Sequence, residues 1–245
     1  MDEKMNKLKQ YYASSNSIVF FGGAGVSTES GIPDFRSTDG LYNTQYEYPP
    51  EIILSHSYFI SQTRDFYRFY RDKMVYLDAK PNLAHSALAK MEHQGKLKAV
   101  ITQNIDGLHH TAGSKNVVEL HGSIHRNFCM DCNTSYTLDF ILQTKDIPLC
   151  SCGGIVKPDV VLYEEGLDET NISSSIKYIS NADMLIIGGT SLAVYPAAGL
   201  IRYYTGNKLV IINKTETHID REANIVIHGS IGEMLDKCLG SFKYD

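Results

Sequence analysis

Residues 21–36 read F-G-G-A-G-V-S-T-E-S-G-I-P-D-F-R, a glycine turn running into a loop that holds a carboxylate, an aromatic ring and a guanidinium. That combination suits a nucleotide cradle with chemistry attached. The apolar run 17–21 predicts a buried strand. Gly22, Gly23 and Gly25 then allow a tight turn with close backbone approach, and a helix start just beyond would aim free N–H groups at phosphate. Packing alone also places glycines in such turns. A dinucleotide oxidoreductase would continue with a plain amphipathic helix and, about 20 residues on, an acidic residue ending the next strand. Here Gly31, Pro33, Asp34, Phe35 and Arg36 fill that interval as a helix-breaking loop, so the nucleotide is not expected to serve hydride transfer.

Two further polar clusters follow short apolar runs. Gln103-Asn104-Ile105-Asp106-Gly107-Leu108-His109 comes after 99–101, and His121-Gly122 comes after Val117-Val118-Glu119-Leu120. Amide, carboxylate and imidazole groups thus stand at the carboxyl ends of strands, where open α/β sheets bind ligands. Asn and Asp at a strand end also serve as turn caps. His109, His110 and His125 lie near His121 in sequence, and spacing does not choose among the four.

Of the five cysteines, Cys129, Cys132, Cys150 and Cys152 form C-x-x-C, 17 intervening residues and C-x-C, while Cys238 lies far away in a predicted C-terminal helix and reads as core. Paired cysteines of this kind suit a tetrahedral four-thiolate zinc site with no position left open for catalytic water. Two disulfides are the other reading, disfavoured in a reducing compartment.

The elements that must carry these groups are read coarsely as strands at 17–21, 98–102, 117–119, 160–162, 184–188, 208–213 and 225–227, alternating with helical or looping stretches. The pattern predicts an α/β fold with a Rossmann-like, doubly wound parallel sheet. The aromatic-rich stretch 37–85 and the cysteine stretch 123–157 interrupt it. They are expected to form a smaller helical plus zinc-binding domain, with 1–36, 86–122 and 158–245 making up the nucleotide-binding domain. A chain of 245 residues, 43% hydrophobic, can bury one large or two small cores. Apolar runs are of strand length, far below the roughly 20 residues that span a bilayer, and the first ten residues lack a signal-peptide core. The expectation is a cytoplasmic protein with no membrane partner. A net charge of −5 argues against a nucleic-acid partner.

These stretches together resemble the sirtuins, NAD-dependent protein lysine deacylases. The family hallmarks G-A-G-x-S, G-I-P-D-F-R, Q-N-I-D-x-L-H, H-G, a four-cysteine module and G-T-S-L stand here in family order, as 23–27, 31–36, 103–109, 121–122, the four cysteines and 189–192. The resemblance implies NAD as co-substrate, one structural zinc, acetyl-lysine proteins as substrates, and products nicotinamide, O-acetyl-ADP-ribose and free lysine. It implies that the acetyl oxygen attacks C1′ of the nicotinamide ribose, and that His121 then serves as general base toward a ribose hydroxyl, with Asn104 ordering the ribose and a water. Gln103 would bond ribose hydroxyls, and Ile105 and Asp106 would hold the carboxamide. Ala24 and Thr28 would line the phosphates, Phe35 would screen the reacting face, and Arg36 would steady the loop. Thr190, Ser191, Asn213 and the backbone of Ile231 would meet the adenosine end.

The peptide would add as a strand along Val160, Val161 and Tyr163. Where the family often has F-G-E, this chain has Tyr163-Glu164-Glu165, and the extra carboxylate is expected to favour basic residues beside the target lysine. Succinyl-removing relatives carry Y-x-x-R in the helical module. Here Tyr67 matches the tyrosine, Tyr70 takes the arginine position, and Arg71 would point about 100° away, so acetyl is expected over succinyl. The other readings are an NAD-dependent protein ADP-ribosyltransferase and a zinc-containing interaction module without catalysis.

Overall fold

The computed structural model describes residues 2–34 and 48–240. The chain opens with helix α1 (Asp2–Ala13) and strand β1 (Ile18–Gly22), followed by 3-10 turns at Ala24–Val26 and Thr28–Ser30. Helices α2 (Pro50–Ile53), α3 (His56–Ser61), α4 (Thr63–Lys73) and α5 (Leu83–His93) precede β2 (Leu97–Thr102), α6 (Leu108–Thr111) and β3 (Val117–Glu119). Then come β4 (Gly122–Cys129), β5 (Ser135–Thr137), α7 (Leu138–Gln143), β6 (Val156–Val160) and α8 (Glu169–Ser180). The last part holds β7 (Met184–Gly188), a 3-10 helix at Ala197–Tyr203, β8 (Leu209–Asn213), β9 (Ile225–His228) and α9 (Ile231–Leu239).

Six strands form one parallel sheet in the order β3-β2-β1-β7-β8-β9. The chain winds outward from β1 in one direction and, after the interruption, from β7 in the other, so the carboxyl ends of β1 and β7 flank a switch point. Strand β1, I-V-F-F-G, is buried along its whole length because both faces of the sheet are covered. Its Ile18 and Phe20 enter a core with Leu8 and Tyr12 of α1, Leu88 and Met91 of α5 and Leu235 of α9. Its Val19 and Phe21 face the opposite core with Ile179 of α8 and Leu200. The period-2 alternation of one strand thus sorts its side chains between two helical layers. Asn82 starts α5 with a full capping box, accepting from the amides of Ala84 and His85 while His85 Nδ1 accepts from the Asn82 amide.

A third core lies apart from these two. Phe59, Phe66, Tyr67, Phe69 and Tyr70 of α3 and α4 pack with Ile124, Leu138, Ile141, Val156 and Leu162 around the antiparallel sheet β5-β4-β6. Phe66 meets Phe59 and Tyr67 edge-on and stacks on Tyr70. The helical and cysteine stretches therefore share one hydrophobic interior.

The strand expected at 160–162 in the parallel sheet is absent from it. Val156–Val160 instead forms the edge of the antiparallel sheet, with Gly122 opposite Val160 and Cys129 opposite Val156. A short apolar run carries no strand-direction signal, and Pro158, lacking an N–H, suits an edge.

Tyr70 is fully buried, and its hydroxyl has no hydrogen-bond partner among the described residues. An unpaired buried hydroxyl costs on the order of 1–3 kcal/mol. Tyr70→Phe is therefore expected to raise stability by about 1 kcal/mol, seen as a higher urea midpoint at unchanged slope; a lower midpoint would show that the hydroxyl is satisfied.

Candidate active site

The polar rim lies at the carboxyl ends of β1, β2, β7 and β8. The helix start expected after Gly25 is not formed, because the chain makes two 3-10 turns instead, and the Gly25 amide is already donated to Gly189 O at 2.8 Å. A Cβ on Gly25 would stand 2.8 Å from Gly189 Cα and 2.9 Å from its oxygen, so the glycine serves the crossing of two loops. Across that crossing Gln103 Nε2 donates to Thr190 Oγ1 at 3.2 Å, and Asn213 Nδ2 donates to the Thr190 carbonyl at 3.1 Å. Ala24 and Thr28 are half-buried beside the turn, with Thr28 Oγ1 donating to Gly25 O at 3.0 Å. Ser191 is exposed, whereas Ile231 is buried with its side chain over Gly188. Phe35 and Arg36 lie outside the described residues.

Ser27, which the sequence reading did not single out, organises the other half of the rim. Its hydroxyl donates to Asp106 Oδ2 at 2.6 Å and accepts from Asn104 Nδ2 at 3.0 Å, while Asp106 Oδ1 accepts from the Leu108 amide at 2.9 Å. The only sequence signal for Ser27 is its place as the last residue of G-A-G-x-S. Ile105 is half-buried and packs on the third core, its carbonyl accepting from the Ile124 amide at 3.0 Å. Half-exposed Gln103 and Asp106 together with nearly buried Asn104, Thr190 and Asn213 form a donor and acceptor set that fits a dinucleotide's amide, hydroxyl and phosphate groups.

Geometry separates the four histidines. His109 is buried among the α5 and α6 side chains, with neither ring nitrogen partnered among the described residues, and burial followed by the neighbouring imidazoles of His85 and His110 pushes its pKa down to about 3. His110 is exposed near Glu119, and exposed His125 donates from Nε2 to the Asp106 carbonyl at 3.1 Å. His121 is half-buried two residues after the end of β3, with Nδ1 3.0 Å from the Gln103 carbonyl. A carbonyl only accepts, so Nδ1 carries the proton and Nε2 presents a lone pair. Burial lowers the His121 pKa and the bond to Gln103 partly opposes it, favouring neutral imidazole.

The segment after β6 is held from both sides. The Val161 amide donates to the His121 carbonyl at 3.0 Å, the Tyr163 amide to Leu54 O at 2.9 Å, and Tyr163 O accepts from the His56 amide at 2.9 Å. Val160 is buried, Val161 half-buried and Tyr163 exposed. Glu164 has φ +77°, a left-handed conformation that glycine adopts freely and glutamate rarely does. Its carboxylate accepts from the Ser57 amide and the Ser57 hydroxyl, each at 2.9 Å. Glu165 accepts from the Leu162 amide at 2.8 Å and pairs with the buried ammonium of Lys157 at 3.1 Å and with His56 at 2.9 Å. Both carboxylates therefore have partners within the chain, Glu164 at the exposed surface and Glu165 at a half-buried position.

Tyr67, expected beside the acyl group, is fully buried, and its hydroxyl donates to the Val156 carbonyl. Arg71 turns toward α7, where Nε donates to Ile141 O at 3.0 Å, and its guanidinium lies 5.2 Å from the Tyr67 ring centre.

The four cysteine sulfurs lie within 4.8 Å of one another. Cys129 and Cys152, and likewise Cys132 and Cys150, are 3.5 Å apart, and Cys152 to Cys132 is 3.4 Å. Four thiolates about 2.3 Å from one zinc would stand roughly 3.8 Å apart, whereas a disulfide needs about 2.0 Å. All four are free thiols, so the zinc reading fits and the disulfide reading does not. Each pair ends on a left-handed residue, Asn133 at φ 58° and Gly153 at φ 92°, and this shared turn lets C-x-C close as C-x-x-C does.

A model of the Sir2 family matches residues 23–196. An NAD-dependent protein deacetylase of Clostridium acetobutylicum is 64% identical over 238 residues, 96% of this chain and 97% of that protein. One from Clostridium perfringens is 60% identical over 243 residues, 98% of this chain and all of the other. Among solved structures, Sir2 with a p53 peptide and NAD+ superposes with a TM-score of 0.87 at 39% identity, covering 97% of this chain and 98% of that one. Sir2 bound to a propionylated peptide gives the same TM-score, identity and coverage. With the family model covering well over half of the residues and these relatives spanning nearly all of them, this chain belongs to the Sir2 family, the sirtuins.

Proposed function

We infer that the chain is an NAD-dependent protein lysine deacetylase, which converts acetyl-lysine and NAD, with water, into lysine, nicotinamide and O-acetyl-ADP-ribose. The carrying observation is His121, neutral by burial, anchored through Nδ1 to Gln103 and presenting Nε2 on a rim whose other groups match a dinucleotide. Relatives named NAD-dependent protein deacetylase over nearly the whole chain support the same activity. NAD supplies the ribose carbon that accepts the acetyl oxygen, with nicotinamide as leaving group.

The chain's residues supply the rest. Ala24 and Thr28 line the phosphates, Gln103 and Asn104 orient the ribose, and Asp106 accepts from the carboxamide, its carboxylate already aimed by Ser27 and the Leu108 amide. Ile105 packs against the same group. Thr190, Ser191, Asn213 and the Ile231 backbone take the adenosine end; by the family motif, Phe35 is assigned to screening the reacting face and Arg36 to steadying the loop and the phosphates. His121 Nε2 takes the proton from a ribose hydroxyl. Val160, Val161 and Tyr163 receive the peptide strand, with Tyr67 behind them as part of the floor. Cys129, Cys132, Cys150 and Cys152 hold one structural zinc, which braces β4 and β6. A reducing, cytoplasmic setting keeps these thiolates available to the metal. Among the described residues no helix is long and apolar enough to cross a membrane.

His121→Ala is expected to lower O-acetyl-ADP-ribose formation from an acetyl-lysine peptide by about 10²- to 10⁴-fold, followed by mass spectrometry; an ADP-ribose adduct on a protein acceptor without deacetylation would bring the transferase reading forward. Since the base works as neutral imidazole and its pKa is lowered, kcat/KM should hold its plateau below the ordinary histidine value of about 6.5 before falling on the acid side. An acid limb centred above that value would contradict the assignment. Zinc analysis should return one equivalent per chain, lost in Cys152→Ser together with a lower melting temperature; full stability without zinc would refute a bracing role. Because Glu164 is engaged with Ser57, Glu164→Gln should change the ratio of KM values for basic- and acidic-flanked peptides by less than about threefold, and a larger change would show the carboxylate meeting the peptide.

A further inference from the structure

The parallel and antiparallel sheets are joined in sequence by Leu120 and His121, between the end of β3 and the start of β4. Gly122 leaves that joint with φ +77°, and a Cβ there would sit 1.9 Å from the Asp159 carbonyl oxygen, so β4 lies hard against β6 at the point where it begins. The ladder pairs Ser123 with Asp159 and then resumes at Asn127 with Pro158, leaving residues 124–126 as a bulge. Bulges redirect side chains, and this one turns Arg126 back toward the joint. Its Nη1 donates to Glu119 Oε2 at 2.6 Å and its Nε to Asp159 Oδ2 at 2.7 Å. Glu119 is the last residue of β3 and its side chain is only 9% exposed. Its carbonyl is also fixed, accepting from Asn171 Nδ2 of α8 at 3.2 Å.

One guanidinium thus ties the residue two positions before His121 to the strand partner of the residue two positions after it. The His121 carbonyl is meanwhile held by the Val161 amide, one residue beyond β6. We propose that Arg126 is a positioning residue that sets the placement of His121 by clamping β3 to β6 across the joint. Arg126 touches neither substrate nor reacting atoms; it acts through the backbone on either side of the base. A planar fork with two donors directed at two carboxylates fixes direction as well as distance, which a lysine does less well. The proposal rests on the deacetylase reading, because the base is needed only after nicotinamide has left.

That order of events supplies the test. Wild-type protein, Arg126→Met and Arg126→Lys are assayed below their melting temperatures for exchange of labelled nicotinamide into NAD in the presence of acetyl-lysine peptide, and for O-acetyl-ADP-ribose formation. Arg126→Met keeps the aliphatic stem and should lower kcat for deacetylation by about 10- to 100-fold, with both KM values and the exchange rate within about twofold of wild type. Arg126→Lys should recover part of the loss. If Arg126→Met folds poorly, Asp159→Asn removes one arm of the clamp at a half-exposed site and should show the same split in weaker form. Exchange and deacetylation falling together, or kcat unchanged, would overturn the proposal by making Arg126 a scaffold residue only. Wild-type turnover in the same experiment decides the deacetylase reading separately.

Discussion

The close passage of Gly25 against Gly189 is the constraint on which the rest of the molecule depends. Strands β1 and β7 are neighbours whose chains leave in opposite directions, and their following loops pass at backbone contact with an amide-to-carbonyl bond of 2.8 Å. A side chain on either glycine would meet backbone below 3 Å and push the loops apart. With the loops together, Thr190 comes within reach of Gln103 from β2 and Asn213 from β8, and four strand ends become one polar rim. The parallel order of the sheet brings the strands to this place, and the absence of two Cβ atoms allows the rim to close.

Around the rim, charge is handled by pairing where it must persist and by neutralisation where it need not. Asp106 is held by donation from Ser27 and the Leu108 amide, and Glu165 is held below the usual carboxylate range against its own burial by the Leu162 amide, His56 and Lys157. His121 is kept uncharged by burial, which suits a base. The same segment that pairs Glu165 with Lys157 also puts Glu164 into a left-handed backbone, a strain on the order of 1 kcal/mol that two hydrogen bonds to charged oxygen are sufficient to offset.

Much of this was legible in the residues. The β1, β2, β3, β7, β8 and β9 runs are short, apolar and bounded by turn residues, so the doubly wound sheet follows from spacing alone. The cysteine pairs announced their own clustering. Val160 to Leu162 did not declare their sheet, because an apolar triplet is equally at home in a parallel core or an antiparallel edge. The turn after Gly25 was misread as a helix start because glycine spacing does not reveal that the amide it frees is taken by a loop more than 160 residues away in sequence. The partners of Glu164 and Glu165, namely Ser57, His56 and Lys157, were hidden for the same reason, since they come from other elements. The aromatic side chains of α4 could have been surface or core, and only their burial against the cysteine module decides it.

The buried histidine behind the rim has a consequence for the molecule as a whole. His109 is uncharged when folded, with its pKa near 3, but in an unfolded chain it would titrate near 6.5. Below that unfolded value the open chain binds a proton that the native state refuses, so stability is intact above about pH 6.5 and is drawn down as pH falls toward 3, by up to about 1.4 kcal/mol per pH unit for this one group. His85, also lowered by burial and with its ring tilted against that of His109 at 4.7 Å, pulls in the same direction. Acid unfolding of this protein should therefore be accompanied by proton uptake into the interior of its largest core, well before its surface carboxylates are discharged.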